Sequence, residues 1–241
     1  MKITSVNNEL VKETSKLLQR KYRKTHFLLE GLKCIEEAIE SGLEIEHLFV
    51  LEGSSEFTDF NERIETTEAV LSKISSTESA PKAVAVAKKI NRKWRDNYKK
   101  VVLLEDIKDA GNLGTILRTA CAFDVDAVVL YGDTVDLYNP KCVRSSVGNL
   151  WKIPVFEMDD LSVFEDYERV ATLPKSDNTV WLKDYTPQEK VLIMFGTESS
   201  GLSQKLKDFA TKNVTIEMTD KVESLNLSIS AGVILYKLLD C

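Results

Sequence analysis

Three short stretches in the second half of the chain combine glycines with polar side chains that catalysis uses. The first is Asp109-Ala110-Gly111-Asn112-Leu113-Gly114, running on through Arg118 to Ala120. The second is Phe195-Gly196-Thr197-Glu198-Ser199-Ser200-Gly201-Leu202. The third is Glu223-Ser224-Leu225-Asn226-Leu227-Ser228, preceded by Ile216-Glu217-Met218. Glycines where a loop opens a helix let a ligand approach free backbone N–H groups closely. Gly111-x-x-Gly114 is not G-x-G-x-x-G, so a nicotinamide cofactor is poorly supported. Arg118 follows Asn112 by one to two helical turns, which is expected to let both face one pocket near the helix start. Singly, each stretch also has a bland reading: a surface arginine, a serine-capped connection, and Ser224 as a helix N-cap. Glu198 between flexible residues is harder to explain structurally.

Other chemistries find little support. The two histidines, His26 and His47, lie outside all three stretches, so the usual neutral base is missing. Cys34, Cys121, Cys142 and Cys241 stand far apart, without the paired spacing of a zinc site or a disulfide framework. No metal is expected, a reducing cytoplasm fits, and Cys34, Cys121 and Cys142 are expected as small core residues. No apolar run approaches the ~20 residues of a membrane span, and the N-terminus lacks the apolar core of a signal peptide.

Positioning these residues requires a layered α/β scaffold. Residues 7–24 show a helical apolar stripe with basic residues opposite, and strands are expected at Phe27–Glu30, His47–Leu51 and Ala83–Ala87. A helix through Ile35, Ala38 and Ile39 stops at Ser41-Gly42. Glu52–Ala80 is polar, with short helical segments at best. Lys88–Lys100 is nearly free of aliphatic side chains and is expected as a linker. Beyond it, Val101–Leu104, Ala127–Tyr131, Val191–Phe195 and Val214–Met218 read as buried parallel strands. Gly111–Ala122 reads as a loop feeding a helix, and helices are expected at Lys141–Ser146, Ser203–Phe209 and Leu227–Leu239. The expectation is a domain over 1–92 and a second, parallel-sheet α/β domain over 93–241.

A formal net charge of −6 argues against a nucleic-acid binder, but it is unevenly spread: +2 over residues 1–100 and −8 beyond. Lys12, Lys16, Arg20, Lys21, Arg23 and Lys24 form one basic run; Lys88, Lys89, Arg92, Lys93, Arg95, Lys99 and Lys100 form another. Such runs are usually solvated helix faces, but two flanking one domain are compatible with phosphate binding.

Together the stretches carry a specific resemblance. DAGNLGTILRTA, FGTESSGL and ESLNLSISAG resemble the three motifs of the TrmH/SpoU family of RNA 2′-O-ribose methyltransferases, within the SPOUT superfamily. DLYNPKCVRSSVGN resembles the family's connecting stretch, and ITSVNNELVKETSKLL and KYRKTHFLLEG its N-terminal substrate-binding module. The resemblance covers nearly the whole chain and is closest to the ribosomal RNA branch. It implies a small N-terminal α/β RNA-binding domain, a C-terminal parallel-sheet domain with a trefoil knot, S-adenosyl-L-methionine as cofactor, and a homodimer whose sites borrow residues across the interface. Carried over by position, Arg118 is the catalytic arginine, with Asn112, Glu198, Ser224 and Asn226 as the other catalytic polar residues. Gly196, Ile216 and Leu225 are cofactor-binding. Arg20, Lys21, Arg23 and Lys24 are expected to bind RNA.

The chemistry is compatible with this set. The cofactor supplies the activated carbon, and the protein must hold a ribose oxygen at attack distance and help its hydroxyl lose a proton. A guanidinium, with a reference pKa above ~12, is a poor literal base and better suited to stabilising a developing alkoxide. Ala110, Thr197 and Glu217 depart from the family's common proline, asparagine and proline, and none removes a polar residue assigned to chemistry. Two other readings are a catalytically weak RNA-binding protein on the same scaffold, and an enzyme acting on transfer RNA. A Rossmann-type enzyme for small molecules would need an N-terminal G-x-G-x-x-G, which is missing.

Overall fold

A computed structural model describes residues 1–239; Cys241 lies outside the described residues. The chain divides into two compact units, 1–91 with 136–151, and 92–135 with 152–239.

The first unit holds strands β1 (Lys2–Ile3), β2 (His26–Glu30), β3 (Ile45–Leu51), β4 (Arg63–Thr66) and β5 (Ala83–Lys88), and helices α1 (Glu9–Lys16), α2 (Leu32–Glu40) and α3 (Glu68–Lys73). The sheet order is β1-β4-β3-β5-β2, parallel from β1 to β3 and antiparallel at β5. Phe49, Ile64, Val84 and Val86 from the sheet bury Val11 of α1 and Val70 and Leu71 of α3. The strand β4 was not expected: its four residues, Arg-Ile-Glu-Thr, include one apolar side chain, too few for the period to declare itself. The helix expected over 7–24 stops at Lys16, and Arg20–Tyr22 forms a separate 3₁₀ turn.

The second unit holds β6 (Lys100–Glu105), helix α4 (Ala110–Ala122) and β7 (Ala127–Tyr131). Helix α5 (Pro140–Ser146) then belongs with the first unit, packing on β2. The chain returns as β8 (Val155–Glu157), β9 (Glu168–Thr172), β10 (Val180–Trp181), β11 (Val191–Phe195), α6 (Gln204–Phe209), β12 (Lys212–Thr215) and α7 (Leu227–Leu238). All seven strands are parallel, in the order β10-β12-β9-β11-β6-β7-β8. The central strands are buried on both faces, which is why they read as unbroken apolar runs. The edge strands β8 and β10 are short and went unread, as did β9, whose Glu168 and Arg169 mask its strand character.

Two expectations change here. The segment expected as a linker is anchored from Arg92 onward: Trp94 packs edge-on against Tyr98, Phe156 and Phe164 at centroid distances of 5.0, 5.3 and 5.3 Å. Aromatic rings supplied the apolar area that a search for aliphatic residues missed. Among the cysteines expected in the core, Cys142 is buried, whereas Cys34 and Cys121 are half-buried.

Candidate active site

The site forms beyond the carboxyl ends of the central parallel strands, where open α/β sheets collect their ligands. A cleft of about 430 Å³ is bounded by the loop after β9 (Thr172, Leu173, Pro174), the Gly196–Leu202 loop after β11, the Ile216–Leu225 segment after β12, and Ile234 of α7. Its volume lies in the range of small-molecule sites. Leu173, Phe195, Ile216, Met218 and Leu225 supply apolar wall; Thr197, Glu198, Ser199, Ser224 and Lys207 supply polar groups.

The loop after β11 closes tightly on itself. Thr197 and Gly201 exchange backbone hydrogen bonds of 3.1 and 3.0 Å. A Cβ at position 196 would fall 2.1 Å from the carbonyl carbon of Gly201, so only glycine permits this closure. Gly201 itself has φ of +67°, a conformation glycine adopts without strain. The Thr197 hydroxyl accepts from the Ser200 N–H at 3.1 Å and lies 2.8 Å from the Ser200 hydroxyl. Threonine thereby serves the side-chain-to-backbone turn for which asparagine is also suited. Glu217, at the family's proline position, pairs with Lys183 at 2.6 Å.

Asn112, Glu198 and Asn226, from the three separate stretches, meet in one hydrogen-bonded chain. Asn226 is the N-cap of α7: its Oδ1 accepts from the Ser228 N–H at 2.9 Å and the Ser228 hydroxyl at 2.6 Å. That fixes which way its amide faces, and its Nδ2 donates to Asn112 Oδ1 at 3.1 Å. Asn112 Nδ2 in turn donates to Glu198 Oε1 at 2.7 Å. The Asp109 side chain caps α4 by accepting from the Asn112 N–H at 2.8 Å. Two helix N-termini, each with partial positive charge, therefore point their polar side chains toward one carboxylate. Each amide donates one N–H to the next group, and the Glu198 carboxyl group ends the chain.

Ile216 and Leu225 are half-buried and line the cleft with Gly196. Ser224 lines it too, but it is not the helix cap that a bland reading offered; Asn226 is. Arg118 is exposed on α4 and does not line the cleft with Glu198. Six residues along α4 set Arg118 about 120° from Asn112 around the helix axis. In the first unit Arg20, Lys21 and Lys24 are exposed. Arg23, expected with them on RNA, is 4% exposed and gives its Nε to Asp136 Oδ2 at 2.7 Å and its Nη1 to the Leu17 carbonyl at 2.8 Å. A buried charge must be paired, and this pairing withdraws Arg23 from solvent. The contributions of Thr172, Leu173, Pro174 and Lys207 were missed; Pro174 ending an unread strand was the available signal.

Among the described residues no group of histidine, cysteine or acidic side chains could hold a metal, and no helix is long and apolar enough to cross a membrane. Comparison with known proteins agrees with this architecture. Residues 8–85 match the MRM3-like substrate binding domain and residues 99–236 match the SpoU rRNA Methylase family. A tRNA/rRNA methyltransferase of Synechocystis, itself uncharacterised, is 33% identical over 98% of this chain and 92% of its own. The 23S rRNA (guanosine(2553)-2′-O)-methyltransferase of Bacillus subtilis is 30% identical over 98% of both chains. The crystal structure of an AdoMet-bound rRNA methyltransferase from Sinorhizobium meliloti superposes with a TM-score of 0.86 at 26% identity, covering 98% of this chain and 96% of that one. The chain belongs to the SpoU rRNA methylase family.

Proposed function

We propose that this protein transfers a methyl group from S-adenosyl-L-methionine to a ribose 2′-hydroxyl of structured RNA, with ribosomal RNA as the substrate. The observation that carries the reading is the chain Asn226–Asn112–Glu198 at the rim of a cleft whose walls are apolar and whose loops are closed by glycine. The cleft fits an amphipathic cofactor: Gly196, Ile216 and Leu225 hold the adenosine, and the polar rim holds the charged end. When bound, the cofactor supplies the activated methyl carbon. The protein orients the ribose: Glu198, held by Asn112, accepts from a hydroxyl donor, Ser224 lines the approach, and Arg118 stabilises the negative charge that develops on the 2′-oxygen as its proton passes to water, the methyl–oxygen bond forms and the methyl–sulfur bond breaks. Residues 1–92 bind the RNA and 93–241 carry catalysis, in the cytoplasm. A trefoil knot in the second unit belongs to the same reading, supported by the match of residues 99–236 to the SpoU rRNA Methylase family.

Arg118 acts from a second copy of the chain. Ile229, Val233 and Tyr236 are 55%, 39% and 72% exposed at i, i+4 and i+7 of α7, an apolar stripe on the helix that packs against α4. Burying the stripe in a homodimer brings one protomer's exposed Arg118 to its partner's cleft. Arg118→Ala is expected to abolish methyl transfer while leaving cofactor affinity nearly intact. Mixing inactive Arg118→Ala and inactive Glu198→Gln chains is expected to restore about a quarter of wild-type transfer, since half the random dimers then hold one complete site. No restoration would place Arg118 in its own protomer's site; near-wild-type transfer by Arg118→Ala alone would remove it from the mechanism.

A further inference from the structure

One exposed aromatic in the first unit is used by neither the core nor the cleft. Tyr22 closes the 3₁₀ turn Arg20–Tyr22 and is 42% exposed. Its ring is surrounded by cations: Lys21 Nζ lies 4.9 Å and Lys16 Nζ 5.9 Å from the centroid, and Arg20 and Lys24 are exposed beside it. Lys16 is already partnered by Glu13 at 2.5 Å, so the available charge is that of Arg20, Lys21 and Lys24.

The next residue explains how the ring is held. Arg23 turns inward, and its buried bonds to Asp136 and the Leu17 carbonyl fix the backbone immediately after Tyr22. The Arg23 N–H also donates to the Arg20 carbonyl at 3.0 Å, closing the turn from the other side. A ring presented from a turn anchored in this way has little left to order when a ligand arrives. Tyr22 and Lys24, on either side of the buried Arg23, are both exposed.

Magnitudes decide what such a ring does. An exposed cation–π contact contributes ~0.5–1 kcal/mol. Stacking of a nucleobase on an aromatic ring contributes ~1–3 kcal/mol. An unpaired base therefore displaces Lys21 from the ring, and the freed ammonium moves to an adjacent phosphate. We propose that Tyr22 is the stacking platform for an unpaired nucleobase, with Arg20, Lys21 and Lys24 on the flanking phosphates. The RNA recognised by the first unit then presents a loop, bulge or single-stranded tail at this point, because bases within a continuous duplex have no free face. This inference rests on the reading that residues 1–92 bind RNA.

The test uses the full chain and two fluorescein-labelled probes, an oligoadenylate of about 12 nucleotides and an RNA duplex of about 12 base pairs, followed by anisotropy. Tyr22→Ala and Tyr22→Leu are expected to weaken oligoadenylate binding by roughly 5- to 100-fold. Tyr22→Phe, which keeps the ring, is expected to stay within about twofold of wild type, as is duplex binding by all three variants. Leucine separates stacking from mere apolar contact. Unchanged oligoadenylate affinity in Tyr22→Ala, or an equal loss on both probes, overturns the stacking role while leaving RNA binding in place. Wild-type protein that binds neither probe overturns the stacking role together with the assignment of RNA binding to residues 1–92.

Discussion

Replacing Arg23 by Met keeps the side-chain stem and removes its charge from a site where both partners are nearly dry: the side chains of Arg23 and Asp136 are 3% and 9% exposed. Two bonds are lost, Nε to Asp136 at 2.7 Å and Nη1 to the Leu17 carbonyl at 2.8 Å. Each bond to a charged group contributes ~1.5–3 kcal/mol, and the stranded carboxylate adds a desolvation cost. Arg23→Met is therefore expected to destabilise the protein by about 3–5 kcal/mol. Adding Asp136→Asn removes the stranded charge, keeps an oxygen for the Tyr138 N–H that Asp136 Oδ1 accepts at 3.0 Å, and is expected to recover most of the loss. Urea unfolding followed by circular dichroism measures both. The slope of log affinity against log salt supplies the second readout. Lys21→Gln and Lys24→Gln each lower its magnitude by ~0.7–0.9 for a phosphate released, whereas the stabilised double variant leaves it at the wild-type value. A loss below about 1 kcal/mol in Arg23→Met, with a salt slope reduced as in Lys21→Gln, would show that Arg23 serves RNA and refute the buried pairing.

Three further outcomes follow from the same geometry. Asn112→Asp sets a second carboxylate against Glu198 and is expected to reduce methyl transfer more than Asn112→Ala, which itself loses at least about tenfold through misorientation, with unfolding midpoints close to wild type in both. Gly196→Ala forces the Gly201 turn open and is expected to cost about 1–3 kcal/mol of stability and to weaken cofactor binding, read by thermal unfolding and titration calorimetry. Burial pushes the Cys34 thiol up from the ordinary 9.0 to about 12. Its folded pKa lies above the unfolded one, so this contribution is intact below pH 9 and lost as pH rises toward 12; Cys34→Ala should flatten the fall in stability across that window in urea titrations at stepped pH.

What the sequence made legible was whatever leaves a local periodic or chemical trace. The strands β6, β7 and β11 are apolar at nearly every position because both their faces are covered, and α4 and α7 follow loops rich in capping residues. Asn112, Glu198 and Asn226 stood out as polar residues at loop-to-helix junctions, yet the hydrogen-bonded chain joining residues 112, 198 and 226 is a product of strand order, which no single stretch encodes. Spacing alone sets Arg118 near Asn112 along α4, but it does not say which copy of the chain the arginine serves. Arg23 illustrates the converse difficulty. It lies in a basic run indistinguishable from a solvated face, and its partner Asp136 is 113 residues away, in a segment the sequence attaches to the other domain. Long-range ion pairs carry no periodic signature.

The central claim, transfer of methyl to a ribose 2′-oxygen, is tested most directly by nucleoside analysis. Unmodified ribosomal RNA transcript is incubated with purified protein and S-adenosyl-L-methionine bearing a deuterated methyl group, digested completely to nucleosides, and analysed by mass spectrometry. The account predicts one nucleoside carrying the label on its ribose, as a 2′-O-methyl group, with the wild-type protein and none with Arg118→Ala. Label found on a base, or no label in RNA while the cofactor binds the protein, would contradict it.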